Sequence, residues 1–205
     1  MVSKNKTGED KMSEKVFTQD WFSTNIPCWD SIIRENFANK ENLNFLEIGS
    51  FEGRSACWLM EEVLTHESSC LTCIDPFTKS IENSSTDLRN LRQRFNHNTK
   101  EWHNKIRVIQ KQSGAALPEL LVAHEKFDVI YIDGSHMACD VMFDAVNCFE
   151  LLKLGGIMVF DDYLGGKLTT IADVKPAVDA FIFSYQHKIN VFNVAYQLWL
   201  QKTSD

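Results

Sequence analysis

A chain of 205 residues with 44% hydrophobic and 24% charged side chains is long enough to bury one continuous core, and its composition is that of a globular protein rather than a disordered one. The net charge of −7 argues against a nucleic-acid backbone as the main partner, because phosphate binding needs clustered Lys and Arg and the sequence has no such stripe. With six cysteines lying mostly inside apolar runs, no signal peptide and no apolar run approaching about 18 residues, the expectation is a reduced, cytoplasmic protein that does not enter a membrane.

Residues 1–16, "MVSKNKTGEDKMSEKV", are polar and charged without period and read as a flexible N-terminal arm; residues 17–205 read as a single domain. An amphipathic helix is expected around Pro27–Phe37, with Pro27 near its first turn. Strand-like runs follow at Asn44–Gly49, Cys70–Asp75, Ile106–Gln110, Phe127–Asp133 and Ile157–Asp161. Helical patterns separate them at about Arg54–Leu64, Ser85–Asn96, Ala115–His124 and Met137–Leu154. In the last of these, Val141, Ala145, Cys148, Phe149 and Leu152 recur at three- and four-residue intervals, and Gly155 and Gly156 are expected to close the helix. Cys70 and Cys73 form a CxxC, but no second pair completes a zinc site, and in a strand the two side chains point to opposite faces; buried thiols are the expectation.

Alternating strands and helices imply βαβ units and a doubly wound, mostly parallel α/β sheet with helices on both faces. A helix over Ile171–Tyr185 then precedes "INVFNVAYQLWLQK", Ile189–Lys202, which reads as two strands with a bend near Asn193–Ala195. A C-terminal antiparallel hairpin on a parallel sheet narrows the choice of fold considerably.

Polar groups gather where strands end. Glu47 lies in strand one and Asp75 ends strand two; Ser113 follows strand three. Asp133 ends strand four, and Asp161 and Asp162 end strand five. In an open parallel sheet these ends share the edge beside the ligand crevice. The first turn, "EIGSFEGRS" (Glu47–Ser55), is punctuated by Gly49 and Gly53, with Ser50 between them and Phe51 where a dinucleotide fingerprint carries glycine. A carboxylate at Asp75 can accept bonds from both hydroxyls of a ribose, and Pro76 and Phe77 supply an apolar wall; a turn-forming Asp before proline is the plainer reading.

"FLEIGSFEGRS", the acid in "CIDPF", "FDVIYIDGSH" and "LKLGGIMVFDDY" together resemble the successive motifs of class I S-adenosylmethionine-dependent methyltransferases, over about Asn44–Lys202. The resemblance implies a seven-stranded Rossmann-like sheet of order 3-2-1-4-5-7-6. It also implies that Glu47, Gly49 and the loop through Ser50, Phe51 and Gly53 to Ser55 hold the methionine part of the cofactor. Asp75 would then take the ribose hydroxyls, with Phe77 and Ser113 flanking adenine, Pro76 part of the same apolar wall, and Asp133 bordering the same site.

Strand five should pair with strand four, which brings Asp133 within reach of Asp161 and Asp162. Three carboxylates facing one spot repel each other unless a cation sits among them, and Mg2+ suits such oxygen ligands. The plainer alternative is that the two adjacent acids cap a loop and orient substrate. The trio resembles the metal site of magnesium-dependent small-molecule O-methyltransferases of the macrocin O-methyltransferase-like branch, in which a histidine three residues after the strand-four acid is the base; that position is His136 here. His136 also precedes a helix N-terminus, where the unpaired amides disfavour added positive charge, whereas nearby carboxylates act the other way.

The expected activity is O-methylation of a small-molecule hydroxyl, with Asp133 and His136 as catalytic residues. No nucleic-acid or membrane partner is expected, and homo-oligomerisation is left open. An inactive S-adenosylmethionine-binding regulator and an NAD-dependent oxidoreductase are the competing readings. A lid over the substrate would come from around Trp21–Trp29, from Ser80–Asn90 and from Leu164–Thr170; Trp21, Phe22 and Trp29 would line a cleft or simply pack a helix.

Overall fold

The computed structural model describes residues 14–78, 88–165 and 173–205. Seven strands, β1 (Asn44–Ile48), β2 (Cys70–Ile74), β3 (Ile106–Ile109), β4 (Phe127–Ile132), β5 (Leu152–Phe160), β6 (Ile189–Val194) and β7 (Leu198–Lys202), form one sheet of order β3-β2-β1-β4-β5-β7-β6. The first five run parallel, whereas β7 is antiparallel to both β5 and β6. The fold class and the terminal hairpin expected from the sequence are therefore both present.

Two short helices, α1 (Ile26–Trp29) and α2 (Glu35–Phe37), flank a π-helical turn at Asp30–Arg34, and a 3-10 turn at Ser23–Asn25 precedes them. The longer helices are α3 (Arg54–Glu62), α4 (Leu91–Thr99), α5 (Ser113–Val122), α6 (Ala138–Leu151) and α7 (Val174–Tyr185). None of the described helices is long and apolar enough to cross a membrane.

Period-two alternation distributes the strands' side chains between two cores. Ile130 and Ile132 of β4 join Leu117 and Leu120 of α5, Ala145 and Phe149 of α6 and Phe181 of α7 on one face. Val129 and Tyr131 join Trp58 of α3, Phe95 of α4 and Trp29 of α1 on the other. Trp29 and Phe22 are core residues, at 0% and 5% exposure, so neither lines a cleft. Trp29 packs edge-on against Tyr131 and Trp199, with ring centroids 4.9 and 5.0 Å apart.

Several boundaries differ from the sequence reading. Helix α6 ends at Leu151 and β5 begins at once at Leu152, so Gly155 and Gly156 lie inside a strand instead of capping a helix. Gly155 has φ 78°, and a Cβ at Gly156 would meet the Leu152 side chain and two carbonyls at 2.8–2.9 Å. The pairing of β4 with β5 shifts register between Phe127 and Val129, so the glycines accommodate an irregular strand start. Helix α4 starts at Leu91, after Asn90 takes a left-handed conformation. Residues 79–87 and 166–172, which include most of both expected loop lids, lie outside the described residues, as do residues 1–13 of the N-terminal arm.

Candidate functional site

Backbone hydrogen bonds carry the parallel ladder one step past the strand ends. Gly49 N donates to Ile74 O, Asp75 N to Ile109 O, Asp133 N to Ile48 O and Asp161 N to Ile132 O, at 2.8–3.2 Å. Gly49, Asp75, Asp133 and Asp161 thus step along one edge, where β1 and β4 diverge to opposite sides. Gly49 is forced there: at φ +83° a Cβ would stand 1.8 Å from the carbonyl oxygen of Asp133.

The first turn is tied together by two buried carboxylates. Glu47, 0% exposed, accepts hydrogen bonds from the hydroxyls of Ser50 (2.6 Å) and Ser55, and burial pushes its carboxyl up. It braces the turn from beneath. Asp75 Oδ2 accepts the backbone N–H groups of Ser50 (2.9 Å) and Phe51 (2.8 Å), and Oδ1 accepts that of Phe77 (2.6 Å). Burial raises its carboxyl and these three bonds act against the rise. Phe51 and Phe77 both have positive φ, 47° and 52°, a conformation that costs a non-glycine residue on the order of 1–3 kcal/mol. Phe51 thus adopts a glycine-like turn conformation despite its side chain, which stacks on exposed Trp21 at 4.8 Å. Gly53, φ 80°, gives room to α4: a Cβ there would lie 3.1 Å from both Phe95 and Thr99. Pro76 is half-buried between these groups.

Ser113 opens α5, and its hydroxyl acts to lower the carboxyl of Asp144 in α6. Asp144 is 2% exposed, one of its oxygens has no partner, and burial pushes it up to about 7. The sequence reading missed this acid because it sits mid-helix among apolar neighbours with no motif around it.

Beyond β4 and β5, a small open hollow is lined by residues that include Asp133, Gly134, His136, Asp161, Asp162 and Val174. Asp133, Asp161 and Asp162 each offer a carboxylate oxygen, and these atoms lie within 4.8 Å of one another. Adjacent residues on a strand face opposite ways; Asp162 escapes that rule because its φ of 55° turns it back over the edge. Burial pushes Asp133 well up, reinforced by the charges of Asp161 and Asp162. Burial and the Asp162 charge push Asp161 up to about 7, against hydrogen bonds from Gln197 and Asp133. Burial acts on Asp162 too, but hydrogen bonds from His136 and Tyr196 outweigh it and hold its carboxyl below the usual range.

His136 Nε2 lies 2.7 Å from Asp162 Oδ2, and both side chains are about one-fifth exposed. Ser135 ends the turn after β4: its hydroxyl donates to Asp140 (2.8 Å) and accepts the Met137 N–H (3.1 Å). Further partners of the trio come from β4 itself and from the turn between β6 and β7. Tyr131 OH donates to Asp133 Oδ2 (2.9 Å), Gln197 Nε2 to Asp161 Oδ1 (2.6 Å) and Tyr196 OH to Asp162 Oδ1.

The donor set suits a hard divalent cation. Ligand distances near 2.1 Å imply neighbouring oxygens about 3–4 Å apart, so the three carboxylates need only a small contraction to share one ion. Such an ion would also remove the mutual repulsion that now raises two of them.

Residues 46–163 match the family profile described as a methyltransferase domain. An uncharacterized protein of Acanthamoeba polyphaga mimivirus is 30% identical over 158 residues, which is 75% of this chain and 67% of that protein. Among solved structures, TomG from Streptomyces achromogenes, an O-methyltransferase of tomaymycin synthesis in complex with SAM, superposes with a TM-score of 0.62 at 17% identity, covering 87% of this chain and 78% of that one. MycE, a methyltransferase of the mycinamycin pathway in complex with Mg and SAH, gives 0.61 at 18% identity, over 93% of this chain and 50% of its own. An O-methyltransferase from Bacillus cereus with SAH gives 0.61 at 17%, over 90% and 84%. At these identities the structures establish the fold.

Proposed function

This chain belongs to the methyltransferase domain family, and we propose that it uses S-adenosylmethionine to methylate a hydroxyl group of a small molecule, with a divalent cation held by Asp133, Asp161 and Asp162. The observation that carries the reading is the meeting of three carboxylates and an imidazole in one hollow, beside the turn that Asp75 organises.

S-adenosylmethionine supplies a methyl group on a sulfonium, which leaves with the bonding pair when an oxygen attacks the carbon. The turn Gly49–Ser55 would hold the methionine part, shaped by Glu47 through Ser50 and Ser55. Asp75 would accept the ribose hydroxyls on lone pairs that its backbone bonds leave over, and Phe77 and Ser113 would flank the base.

A divalent cation, when bound, supplies electrostatic stabilisation of the developing oxyanion. His136 takes the proton from the acceptor hydroxyl. With Nε2–H donating to Asp162, the imidazole carries its lone pair on Nδ1, and Asp162 stabilises the imidazolium that forms. Asp133 stands at the corner of both halves: its backbone supports the Gly49 turn and its side chain faces the cation position.

The test is transfer of a labelled methyl group from S-adenosylmethionine to a panel of sugars, phenols, polyketides and hydroxy acids, with Mg2+ and with a chelator. Label on oxygen that disappears with chelation supports the reading. Label on nitrogen or carbon of every acceptor, or transfer indifferent to chelation, refutes the acceptor or the cation respectively.

A further inference from the structure

Because β7 runs antiparallel to β5, with Leu198 opposite Phe160, the turn between β6 and β7 arrives at the edge where the parallel strands end. That turn delivers Tyr196 and Gln197 to the acid trio. Gln197 is 3% exposed and bridges two elements: it accepts from Trp29 Nε1 at 2.9 Å and donates to Asp161 Oδ1 at 2.6 Å.

The orientation of this amide follows from chemistry. An indole N–H can only donate, and Trp29 is fully buried, so the Gln197 carbonyl oxygen must face it. The amide's NH2 group is then committed to the other side, where Asp161 Oδ1 stands, with Tyr131 OH at 3.5 Å. Tyr131 in turn donates to Asp133. A donor fixed on Oδ1 makes that oxygen an acceptor and restrains the rotation of the carboxylate at the edge of the hollow.

We propose that Gln197, held by Trp29, is a positioning residue that sets the geometry of Asp161 for cation binding; this rests on the cation reading above. The antiparallel hairpin then has a chemical task, as the outer support of a site whose ligands lie just past the ends of β4 and β5.

The experiment measures Mn2+ affinity of the full chain by calorimetry, beside S-adenosylhomocysteine affinity and thermal melting. Gln197→Met keeps length and removes the donor; Trp29→Phe keeps a buried ring and removes the group that orients the amide. The expected result is Mn2+ binding at least tenfold weaker in Gln197→Met and about two- to fivefold weaker in Trp29→Phe, with S-adenosylhomocysteine affinity within twofold of wild type in both. Mn2+ affinity in Gln197→Met within twofold of wild type overturns the proposal and leaves the cation reading standing. Wild-type protein that does not bind Mn2+ overturns both. If Gln197→Met does not fold, Trp29→Phe decides, and an unchanged Mn2+ affinity there overturns the proposal.

Discussion

His136 and Asp162 share a 2.7 Å hydrogen bond, and the same aspartate is one of three acids whose oxygens lie within 4.8 Å. One carboxylate thus contacts the proposed base and also belongs to the proposed cation site. His136→Ala is expected to lower kcat by about 10²–10⁴-fold, the usual contribution of a general base. S-adenosylhomocysteine affinity, measured by calorimetry, should stay within about twofold, because His136 contacts Asp162 at the acid trio while the turn is organised separately by Asp75.

Asp133→Asn keeps the shape of the side chain and removes its charge. Activity should fall by at least about 10²-fold, with Mn2+ binding lost and S-adenosylhomocysteine binding retained. Loss of S-adenosylhomocysteine binding instead would assign Asp133 to the cofactor site alone.

Asp144 gives a pH signature. Burial raises its folded-state pKa to about 7, above the ordinary value of an unfolded chain, so the folded protein holds a proton that the unfolded chain releases. Its contribution is fully present below about pH 4 and is lost as pH rises through 7. Asp144→Asn removes that loss. In urea unfolding with a chelator present, the stability difference between variant and wild type should shift in the variant's favour between pH 4 and 7, by on the order of 2–4 kcal/mol, and then level off. A difference that is flat with pH would show that Asp144 is ionised in the fold.

Glu52 is fully buried and fastens the segment before α1. It accepts from Thr18 N (2.6 Å), Thr18 Oγ1 (2.7 Å) and Arg94 Nε (2.5 Å). Glu52→Ala should destabilise the protein by about 3–5 kcal/mol, the range for breaking a buried charged pair. The exposed pair Arg34–Asp30 provides the control, since Asp30→Ala should cost less than about 1 kcal/mol. Chemical denaturation of the two variants compares them directly.

The sheet was legible because its signals are local. Apolar alternation, glycines at strand ends and an acid at four of the five parallel strand ends are each readable within a few residues, and together they imply one edge. Gly155 and Gly156 misled because a glycine pair after a helical repeat reads as a stop, whereas here the strand has already begun. Trp29 could not be assigned from its own neighbourhood; its surroundings come from α3, β4 and β7. Gln197, Tyr196, Glu52 and Asp144 escaped for the same reason. Each acquires its role from a partner at least 31 positions away, such as Asp161 for Gln197 and Ser113 for Asp144, and nothing in the local spacing announces such a partner.

The absent side chain at Gly49 has a consequence for how this protein can change. The turn that would grip the methyl donor and the turn that carries Asp133 touch backbone to backbone, with no adjustable atoms between them. Neither turn can be lengthened, shifted or given a new residue at that point without displacing the other. Variation in acceptor preference is therefore confined to segments away from this junction, and a library aimed at new substrates should leave position 49 alone.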